Sequence, residues 1–211
     1  PFKDEVRTIF LNLVPGLDGA LFFLRKHLKE TVTTVDTCLI NGAFNVMSSL
    51  LKRYERDEQM GQAPLDEEEI KQAQKSTVPL WVFSLIWSLG ASVIGEGRPK
   101  LNDFFREKAT AFGFAKHMPP TVTSNNSDCS MYEFCYDQEQ TKWVEWMNTV
   151  DEYTVNPESP FAEIIVPTAD TVRYTFLIDA LLKNDKHVLC VGETGTGKTL
   201  NVMDKLSNHM P

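Results

Sequence analysis

Cysteine and histidine are scarce in this sequence, with four of each among 211 residues. The cysteines are Cys38, Cys129, Cys135 and Cys190, and they form no CxxC pair and match no zinc-binding spacing. No two histidines stand at the spacing of metal ligands. The sequence therefore predicts no metal centre built from cysteine and histidine.

Clusters of basic residues are also missing. The chain has 21 Lys and Arg against 29 Asp and Glu, which gives a formal net charge of −8. Nucleic acids and anionic membranes attract basic surfaces, so this balance argues against either as the main partner. The composition, 42% hydrophobic and 24% charged, is that of an ordinary globular protein with one or two domains.

One long run is without charge, "VPLWVFSLIWSLGASVIG" from Val78 to Gly95. Its length reaches the lower limit for a membrane span. Against that interpretation, Ser84, Ser88 and Ser92 recur every four residues, and no positive cluster flanks the run. Pro79 stands where proline suits the first turn of a helix. We therefore expect a helix buried nearly all round by protein.

The first part of the chain, to about residue 112, is predicted to be an α-helical bundle without a catalytic cluster, because its apolar residues recur at helical spacing. Thr34 or Asp36 is suited to cap the third helix. The segment 56–69, "RDEQMGQAPLDEEE", is interpreted as an exposed polar break with a solvated acidic face. The predicted inward residues are Phe2, Val6, Ile9, Phe10 and Leu13, then Leu17, Leu21, Leu24 and Leu28, then Leu39, Ala43, Val46, Met47, Leu50 and Leu51, and finally Leu101, Phe104 and Phe105.

A β-hairpin is predicted after a Pro/Ser/Asn linker. In "MYEFCYDQEQTKWVEW", from Met131 to Trp146, apolar and polar residues alternate on both sides of a polar turn. Its aromatic residues raise the alternative of a platform that stacks nucleic-acid bases. The acidic residues interleaved among them favour a structural hairpin instead.

The strongest motif is "HVLCVGETGTGKTLNVM", His187 to Met203. The run 187–191 is typical of a buried parallel strand, and a helix is predicted from about Gly197. Between them, the pattern G-x-x-x-x-G-K-T predicts a phosphate-binding loop that holds ATP or ADP and Mg²⁺. The residues concerned are Gly192, Glu193, Thr194, Gly195, Thr196, Gly197, Lys198 and Thr199.

Each polar group of this loop has an expected task. Glycine permits positive φ, so backbone N–H groups approach a phosphate closely, and the helix N-terminus favours an anion. Lys198 is expected to reach the β and γ phosphates, and the hydroxyl of Thr199 to hold Mg²⁺. Such a loop implies a reducing setting, so the cysteines are expected to be reduced, with Cys38 and Cys190 buried.

Only twelve residues, 200–211, follow Thr199. Nucleotide hydrolysis also needs an acidic residue at the end of a later strand. The chain is therefore expected to be a piece of a longer polypeptide, and to be inactive as an ATPase by itself. Upstream, residues 164–166 are apolar, and Thr168 or Asp170 is suited to cap a helix that carries Val172, Phe176, Leu177 and Leu181.

Three of these segments resemble dynein heavy chains. "VPTADTVRYTFLIDALL" followed by "VLCVGETGTGKT" is similar to the opening of the third AAA+ module of that family. "LWVFSLIWSLGASVIGEGRPKLNDFFRE" is similar to the helical lid of the second module, and "MYEFCYDQEQTKWVEW" to the hairpin that joins the two. The order is that of the family, and "TVRY" and "GETGTGKT" look more like axonemal than cytoplasmic heavy chains.

The resemblance implies a fold: an α-helical AAA+ lid, a β-hairpin linker, and the first βαβα part of a truncated P-loop α/β domain. The expected domains are 1–116, 117–157 and 158–211. The resemblance also implies that Val166, Pro167 and Thr168 line the adenine pocket.

The resemblance further implies an ATP-driven, minus-end-directed microtubule motor in the axoneme, or alternatively the cytoplasm. In that family the first module performs most hydrolysis and the third is regulatory. The implied partners are the rest of the AAA+ ring, the microtubule, and the intermediate and light chains, with no nucleic acid and no membrane.

Two alternatives stay open at this point. The chain is also compatible with a scaffold segment whose P-loop binds nucleotide without hydrolysing it, or with part of another multi-module AAA+ machine. The residues that separate these readings are the Mg²⁺-holding and water-activating acids, the sensor residues and the arginine finger, which this sequence does not contain.

Overall fold

The computed structural model describes residues 2–56, 61–121, 130–151 and 166–208. Within these ranges the chain forms seven α-helices and one two-stranded antiparallel sheet. The elements are α1 (Phe2–Leu13), α2 (Ala20–His27), α3 (Asp36–Leu51), α4 (Glu67–Leu89), α5 (Arg98–Ala111), β1 (Phe134–Asp137), β2 (Lys142–Glu145), α6 (Ala169–Leu182) and α7 (Lys198–Asn208). The helical bundle, the hairpin and the helix that begins at the P-loop are all confirmed.

Helix α4 is the centre of the core. Every side chain from Val78 to Leu89 is buried, so the helix is enclosed all round, as predicted. The serines do not form a solvated stripe, because Ser84 donates to the carbonyl of Leu80 at 2.7 Å and Ser88 donates to the carbonyl of Leu39. Among the described residues, no helix is both long enough and apolar enough to cross a membrane.

The predicted start of this helix at Pro79 is wrong. Helix α4 begins twelve residues earlier, at Glu67, and Pro79 lies inside it. A capping box sets the true start: the carboxylate of Asp66 accepts from the N–H of Glu69 at 2.7 Å, and the carboxylate of Glu69 accepts from the N–H of Asp66 at 3.1 Å. The acidic run of the supposed polar break is therefore the first helical turn, where acids offset the helix dipole.

Replacing Asp66 by alanine is expected to destabilise the chain by about 1 kcal/mol, because the first turn of α4 loses its cap. Urea unfolding followed by circular dichroism measures the change. The control is Glu68→Ala in the same turn, since Glu68 is exposed and takes no part in the capping box. Equal losses for both variants would contradict a specific role for the cap.

Helix α3 packs closely along α4. A side chain on Gly42 would place its Cβ 2.5 Å from the hydroxyl oxygen of Ser88, so a larger residue there would displace that hydroxyl from its hydrogen bond to Leu39. The inward residues of α3 are as predicted, with Leu39, Ala43, Val46 and Leu50 buried. Neither predicted cap is used: the N-cap is Val35 without a side-chain hydrogen bond.

The side chains expected to cap α3 have other partners. Asp36 accepts from the guanidinium of Arg25 at 2.7 Å, and the same guanidinium pairs with Glu30. The hydroxyl of Thr34 donates to the carbonyl of Val32 at 3.1 Å. This ion-pair cluster joins the end of α2 to the start of α3, and it replaces the predicted cap.

Helices α1, α2 and α5 complete the bundle around α4. Ile9 and Leu13 of α1, Leu24 of α2, and Leu101 and Phe105 of α5 are buried, as predicted. Leu17 was also expected to face inward, but it precedes α2 and is 78% exposed. The reason is that the turn after Pro15-Gly16 extends to residue 19, so the helical spacing begins only at Ala20.

The predicted hairpin is confirmed. Tyr136 stands opposite Trp143 and Phe134 opposite Glu145 in the antiparallel register. The carboxylate of Asp137 accepts from the N–H groups of Glu139 and Gln140, at 2.8 and 3.0 Å, and so closes the turn. Tyr132, Phe134, Tyr136 and Trp146 are buried, so these rings serve packing and present no platform to bases.

The run 187–191 does not form the predicted buried strand. It has no strand partner among the described residues, and Leu189 is 85% exposed. A parallel strand needs neighbours to bury its apolar side chains and pair its backbone, and the described part of the chain supplies none. Residues 164 and 165, the other apolar segment predicted near this one, lie outside the described residues.

Two of the cysteine predictions are also wrong. Cys38 and Cys190 are exposed, because one lies in the first turn of α3 and the other in the unpaired run 187–191. Cys135 is a free, buried thiol on β1, and burial raises its pKa to about 11. Cys129 lies outside the described residues. The thiol of Cys135 is therefore a packing group and not a nucleophile.

Candidate nucleotide-binding loop and its support

The P-loop sequence forms a tight loop that ends in helix α7. Gly195 and Gly197 have φ of +84° and +74°, a region that glycine adopts without strain. Helix α7 begins at Lys198, directly after the last of these glycines, and the N–H of Asn201 donates to the carbonyl of Gly197 at 3.0 Å. The free N–H groups of the first turn and the helix dipole lie next to the loop, as an anion site requires.

The ammonium group of Lys198 is turned into the loop. It donates to the carbonyls of Gly192 and Glu193, at 2.9 and 2.5 Å, and to the hydroxyl of Thr196 at 3.2 Å. The hydroxyl of Thr196 in turn donates to the carbonyl of Glu193 at 2.9 Å. The structure therefore places the ammonium group within hydrogen-bonding distance of the start of the loop and of Thr196.

Thr199 and Thr194 are both exposed. Thr199 lies in the first turn of α7, directly after the lysine, where its hydroxyl is accessible to a cation brought with a nucleotide. Thr194 lies at the tip of the loop. The donor set fits a Mg²⁺-nucleotide in kind, since it combines one ammonium group, one hydroxyl and a run of backbone N–H groups.

Val166, Pro167 and Thr168, expected to line the adenine pocket, lie directly before helix α6. Thr168 is the N-cap of that helix: its hydroxyl accepts from the N–H of Thr171 at 3.2 Å, while the hydroxyl of Thr171 accepts from the N–H of Thr168 at 2.8 Å. Val166 is 56% exposed. No hydrogen bond joins these residues to the P-loop in the described part of the chain, so their role in binding stays a prediction.

Helix α6 links the P-loop to the helical bundle, and Arg173 is its most buried charged residue. The guanidinium lies 5.8 Å from the ring centre of Trp87 in α4 and 5.5 Å from that of Tyr174. It pairs with Asp170 and lies 3.7 Å from the carboxylate of Glu133 beside β1. Three parts of the structure (α4, the hairpin segment and α6) therefore meet at this one side chain.

Aromatic rings continue this contact along α6. The ring of Phe176 lies 5.3 Å from Trp146 and 6.0 Å from Phe83, both in edge-on arrangements. Trp146 is 1% exposed, and its indole N–H donates to the carbonyl of Tyr132 at 2.9 Å. Edge-on aromatic pairs add to the stability gained by burial. The helix that precedes the P-loop is thus packed on the bundle and the hairpin together.

Arg98 strengthens the same contact from α5. Its guanidinium lies 5.0 Å from the ring centre of Tyr132 and donates to the hydroxyl of Tyr174 at 3.4 Å. Burial is the largest influence and opposes its charge, but the hydrogen bond to Tyr174 and the electrostatic attraction of Tyr174, Tyr132 and Asp170 together outweigh burial and raise the pKa of Arg98. The guanidinium therefore stays charged, and it ties the first residue of α5 to α6.

Sequence reasoning missed Arg173 and Arg98 as members of a contact surface. One signal was available for Arg173, because it lies three and four residues before Phe176 and Leu177 and so falls within the apolar stripe of α6. A charge within an apolar stripe indicates a buried partner or an interface. No comparable signal marks Arg98, which stands in a glycine- and proline-containing turn.

Comparison with known protein families divides the chain into the same two parts, a helical lid and a P-loop segment. Residues 7–148 match the family described as the dynein heavy chain AAA lid domain, and residues 153–211 match the P-loop containing dynein motor region. A helical lid followed by a P-loop segment defines part of an AAA+ module pair. The chain belongs to the dynein heavy-chain family.

Curated relatives agree with this assignment. The chain is 29% identical to dynein axonemal heavy chain 1 from Homo sapiens over 100% of its own length and 5% of that protein. It is 33% identical to dynein axonemal heavy chain 2 from Homo sapiens over 93% of its length and 4% of that protein. It is 38% identical to dynein axonemal heavy chain 12 from Rattus norvegicus over 62% of its length and 4% of that protein.

The chain therefore spans about one-twentieth of the length of these relatives. Dynein heavy chains are AAA+ ATPase motors, and this chain corresponds to a lid and a P-loop segment of their motor region. The expectation of an axonemal type is confirmed, in that these relatives of the chain are axonemal heavy chains.

Proposed function

We propose that this chain is part of an ATP-driven, minus-end-directed microtubule motor of the axoneme. It contributes a regulatory nucleotide-binding loop and the lid against which the segment carrying that loop packs. The loop 192–199 binds ATP or ADP with Mg²⁺. In the proposed domain arrangement 1–116 is the lid, 117–157 the linker with the hairpin, and 158–211 the start of the next nucleotide-binding domain. The remainder of the AAA+ ring, the microtubule, and intermediate and light chains are its proposed partners.

The observation that carries this proposal is the position of Lys198. Its ammonium group, at the N-terminus of α7, donates hydrogen bonds to the carbonyls of Gly192 and Glu193 at the start of the loop. Loop carbonyls carry no net charge, whereas phosphate oxygens are anionic and add the attraction of opposite charges to the hydrogen bond from an ammonium group. A nucleotide therefore offers Lys198 better partners than the loop does.

Each residue has a proposed role. Lys198 contacts the β and γ phosphates, the N–H groups of Gly195 and Gly197 contact the phosphate chain, and the hydroxyl of Thr199 is a ligand of Mg²⁺. Val166 and Pro167 supply apolar surface to the base. Bound Mg²⁺ would supply positive charge that offsets the charge of the phosphates, and the protein residues bind and orient the nucleotide.

A regulatory role is proposed because α6 joins the loop segment to the lid. Helix α6 packs on α7 and, through Arg173 and Phe176, on α4 and the hairpin. A change of conformation at the loop can therefore bias the position of the lid, provided that the nucleotide binds the two positions with different affinity.

Lys198→Ala is expected to weaken binding of Mg²⁺-ADP by about tenfold to a hundredfold, because one charge-assisted contact to phosphate is lost. Titration with a fluorescent ADP analogue compares the affinity of the variant with that of the unsubstituted chain. The matched control is Lys183→Ala at the C-cap of α6, since that ammonium group is exposed and pairs with Asp179 at 3.0 Å. Unchanged affinity of Lys198→Ala would overturn the site.

The 211-residue chain is expected to bind nucleotide without turning it over. After Thr199 its sequence contains one acidic residue, Asp204, within helix α7, whereas hydrolysis needs an acid on a further strand. A phosphate-release assay measures turnover. Release of phosphate that Lys198→Ala abolishes would show a complete catalytic site and contradict this expectation.

A further inference from the structure

A second surface, distinct from the P-loop, is a groove of about 580 Å³ between α4, the segment after α5 and the hairpin. Four lysines line it: Lys71, Lys75, Lys116 and Lys142. We call it the lysine groove. Lys71 and Lys75 are one helical turn apart, while Lys116 and Lys142 come from distant parts of the chain. The fold thus gathers these charges from three separate segments.

The lysine groove is an exception in an acidic chain. The net charge is −8, yet the described residues that line the groove include neither aspartate nor glutamate. None of the four ammonium groups forms an ion pair within the described ranges 2–56, 61–121, 130–151 and 166–208, and all four residues are exposed. Gathered like charges repel one another, so an anionic partner gains from all four.

The bottom of the lysine groove is apolar. Val78 and Pro79 of α4 are buried beneath it, and the half-buried ring of Trp143 forms one wall. The indole N–H of Trp143 donates to the carbonyl of His117 at 3.2 Å, and the ring meets that of Tyr136 at a centre distance of 5.4 Å. These contacts fix the ring in place, so the apolar wall is formed before a partner arrives.

His117 offers a partner no further positive charge, because its imidazole already interacts with the carboxylate of Glu5 in α1. Their side chains are 3.0 Å apart, and burial of the imidazole lowers its pKa. The positive character of the lysine groove therefore comes from the lysines. Each is a flexible point charge, which suits carboxylates spaced along a peptide.

We propose that the lysine groove is a docking site for an acidic segment of another protein, one that places an apolar side chain against Trp143 and Pro79 and carboxylates on the surrounding lysines. Charge complementarity selects the acidic segment, and the apolar wall selects a peptide over inorganic phosphate. A nucleic acid is disfavoured because the rest of the chain is acidic and repels a long phosphate backbone. This site is independent of nucleotide binding.

The test uses the 211-residue chain and a fluorescein-labelled peptide of alternating glutamate and aspartate around a central Phe-Leu pair. Fluorescence anisotropy is expected to show saturable binding that weakens as salt rises. Lys71→Glu with Lys75→Glu is expected to weaken it by about tenfold or more, since each change removes an attraction and adds a repulsion. Circular dichroism confirms that the variants fold.

The matched control is Lys29→Glu with Lys100→Glu, which makes the same change in net charge at exposed lysines outside the groove. The control is expected to bind as the parent chain does. A peptide with Ser-Ser in place of Phe-Leu is expected to bind more weakly, which tests the apolar wall. Lys198→Ala is expected to leave peptide binding unchanged. Loss of peptide binding at the lysine groove can therefore be distinguished from loss of nucleotide binding at the P-loop.

Several outcomes would overturn the proposal. Equal loss in both double variants would mean that binding follows net charge alone. Tighter binding of a labelled single-stranded oligonucleotide than of the peptide would assign the groove to nucleic acid. A dimer in light scattering that Lys71→Glu with Lys75→Glu dissociates would assign it to a second copy of this chain. Absence of saturable peptide binding would leave the lysines as a solvated surface and refute the proposal.

Discussion

Trp146→Ala is expected to destabilise the chain by about 3–5 kcal/mol, the largest single effect in this account. The indole is 1% exposed and contacts Phe83 and Trp87 of α4 as well as Phe176 of α6, with ring centres 5.3–6.1 Å apart. Its removal leaves a cavity where the lid, the hairpin and α6 meet. The loss is a large fraction of the roughly 5–15 kcal/mol that stabilises a typical domain.

Urea unfolding followed by circular dichroism and fluorescence measures this effect. Met147→Ala is the neighbouring control, because Met147 is 46% exposed, and we expect a change within about 0.5 kcal/mol. Trp146→Phe separates packing from the hydrogen bond to Tyr132, and it is expected to lose less than the alanine variant. If Trp146→Ala and Met147→Ala lost equally little, the three parts would not share this core.

Arg173→Ala is expected to loosen α6 from the lid without unfolding the lid. The guanidinium packs on Trp87 and Tyr174 and pairs with Asp170. Its Nε is buried and donates to no group in the described part of the chain, while a terminal N–H donates to the carbonyl of Tyr132 at 3.5 Å. We expect a loss of about 1.5–3 kcal/mol, as for charged hydrogen-bonding groups.

Hydrogen exchange resolved by peptide distinguishes this local loss from global unfolding. In Arg173→Ala, amides of 169–182 are expected to exchange faster, while those of α4 stay protected. Arg173→Lys is expected to behave like the alanine variant, because an ammonium group does not stack on two rings as a guanidinium does. Lys183→Ala, at the C-cap of the same helix, is the control. Protection of α6 equal to that of the parent chain would contradict this role for Arg173.

The sequence predicted well where one local signal decided the structure. The uncharged run after Pro79 can be satisfied only by burial, and α4 is buried there on all sides. Thr168 was one of two predicted caps for α6, and its hydroxyl caps that helix. Glycine permits positive φ, and Gly195 and Gly197 of the P-loop adopt it, whereas Gly192 does not. In each case a signal in the local sequence was enough.

The sequence predicted poorly where a distant partner decided the structure. Pro79 marks a helix start by local preference, yet the capping box at Asp66 starts α4 earlier and packing holds the helix through the proline. Thr34 or Asp36 was expected to cap α3, but the carboxylate of Asp36 forms an ion pair with Arg25 instead. The run 187–191 has the composition of a strand but no partner among the described residues. Partners far along the chain leave no local signal.

We propose that the loop 192–199 binds Mg²⁺-nucleotide and transmits that binding through α6. Hydrogen exchange of the 211-residue chain, with and without saturating Mg²⁺-ADP, tests this proposal. We expect slower exchange in the loop and the first turn of α7, with a smaller change in α6, and neither in Lys198→Ala. Exchange in the loop that is unaltered by Mg²⁺-ADP, or equally slowed in Lys198→Ala, would contradict the account.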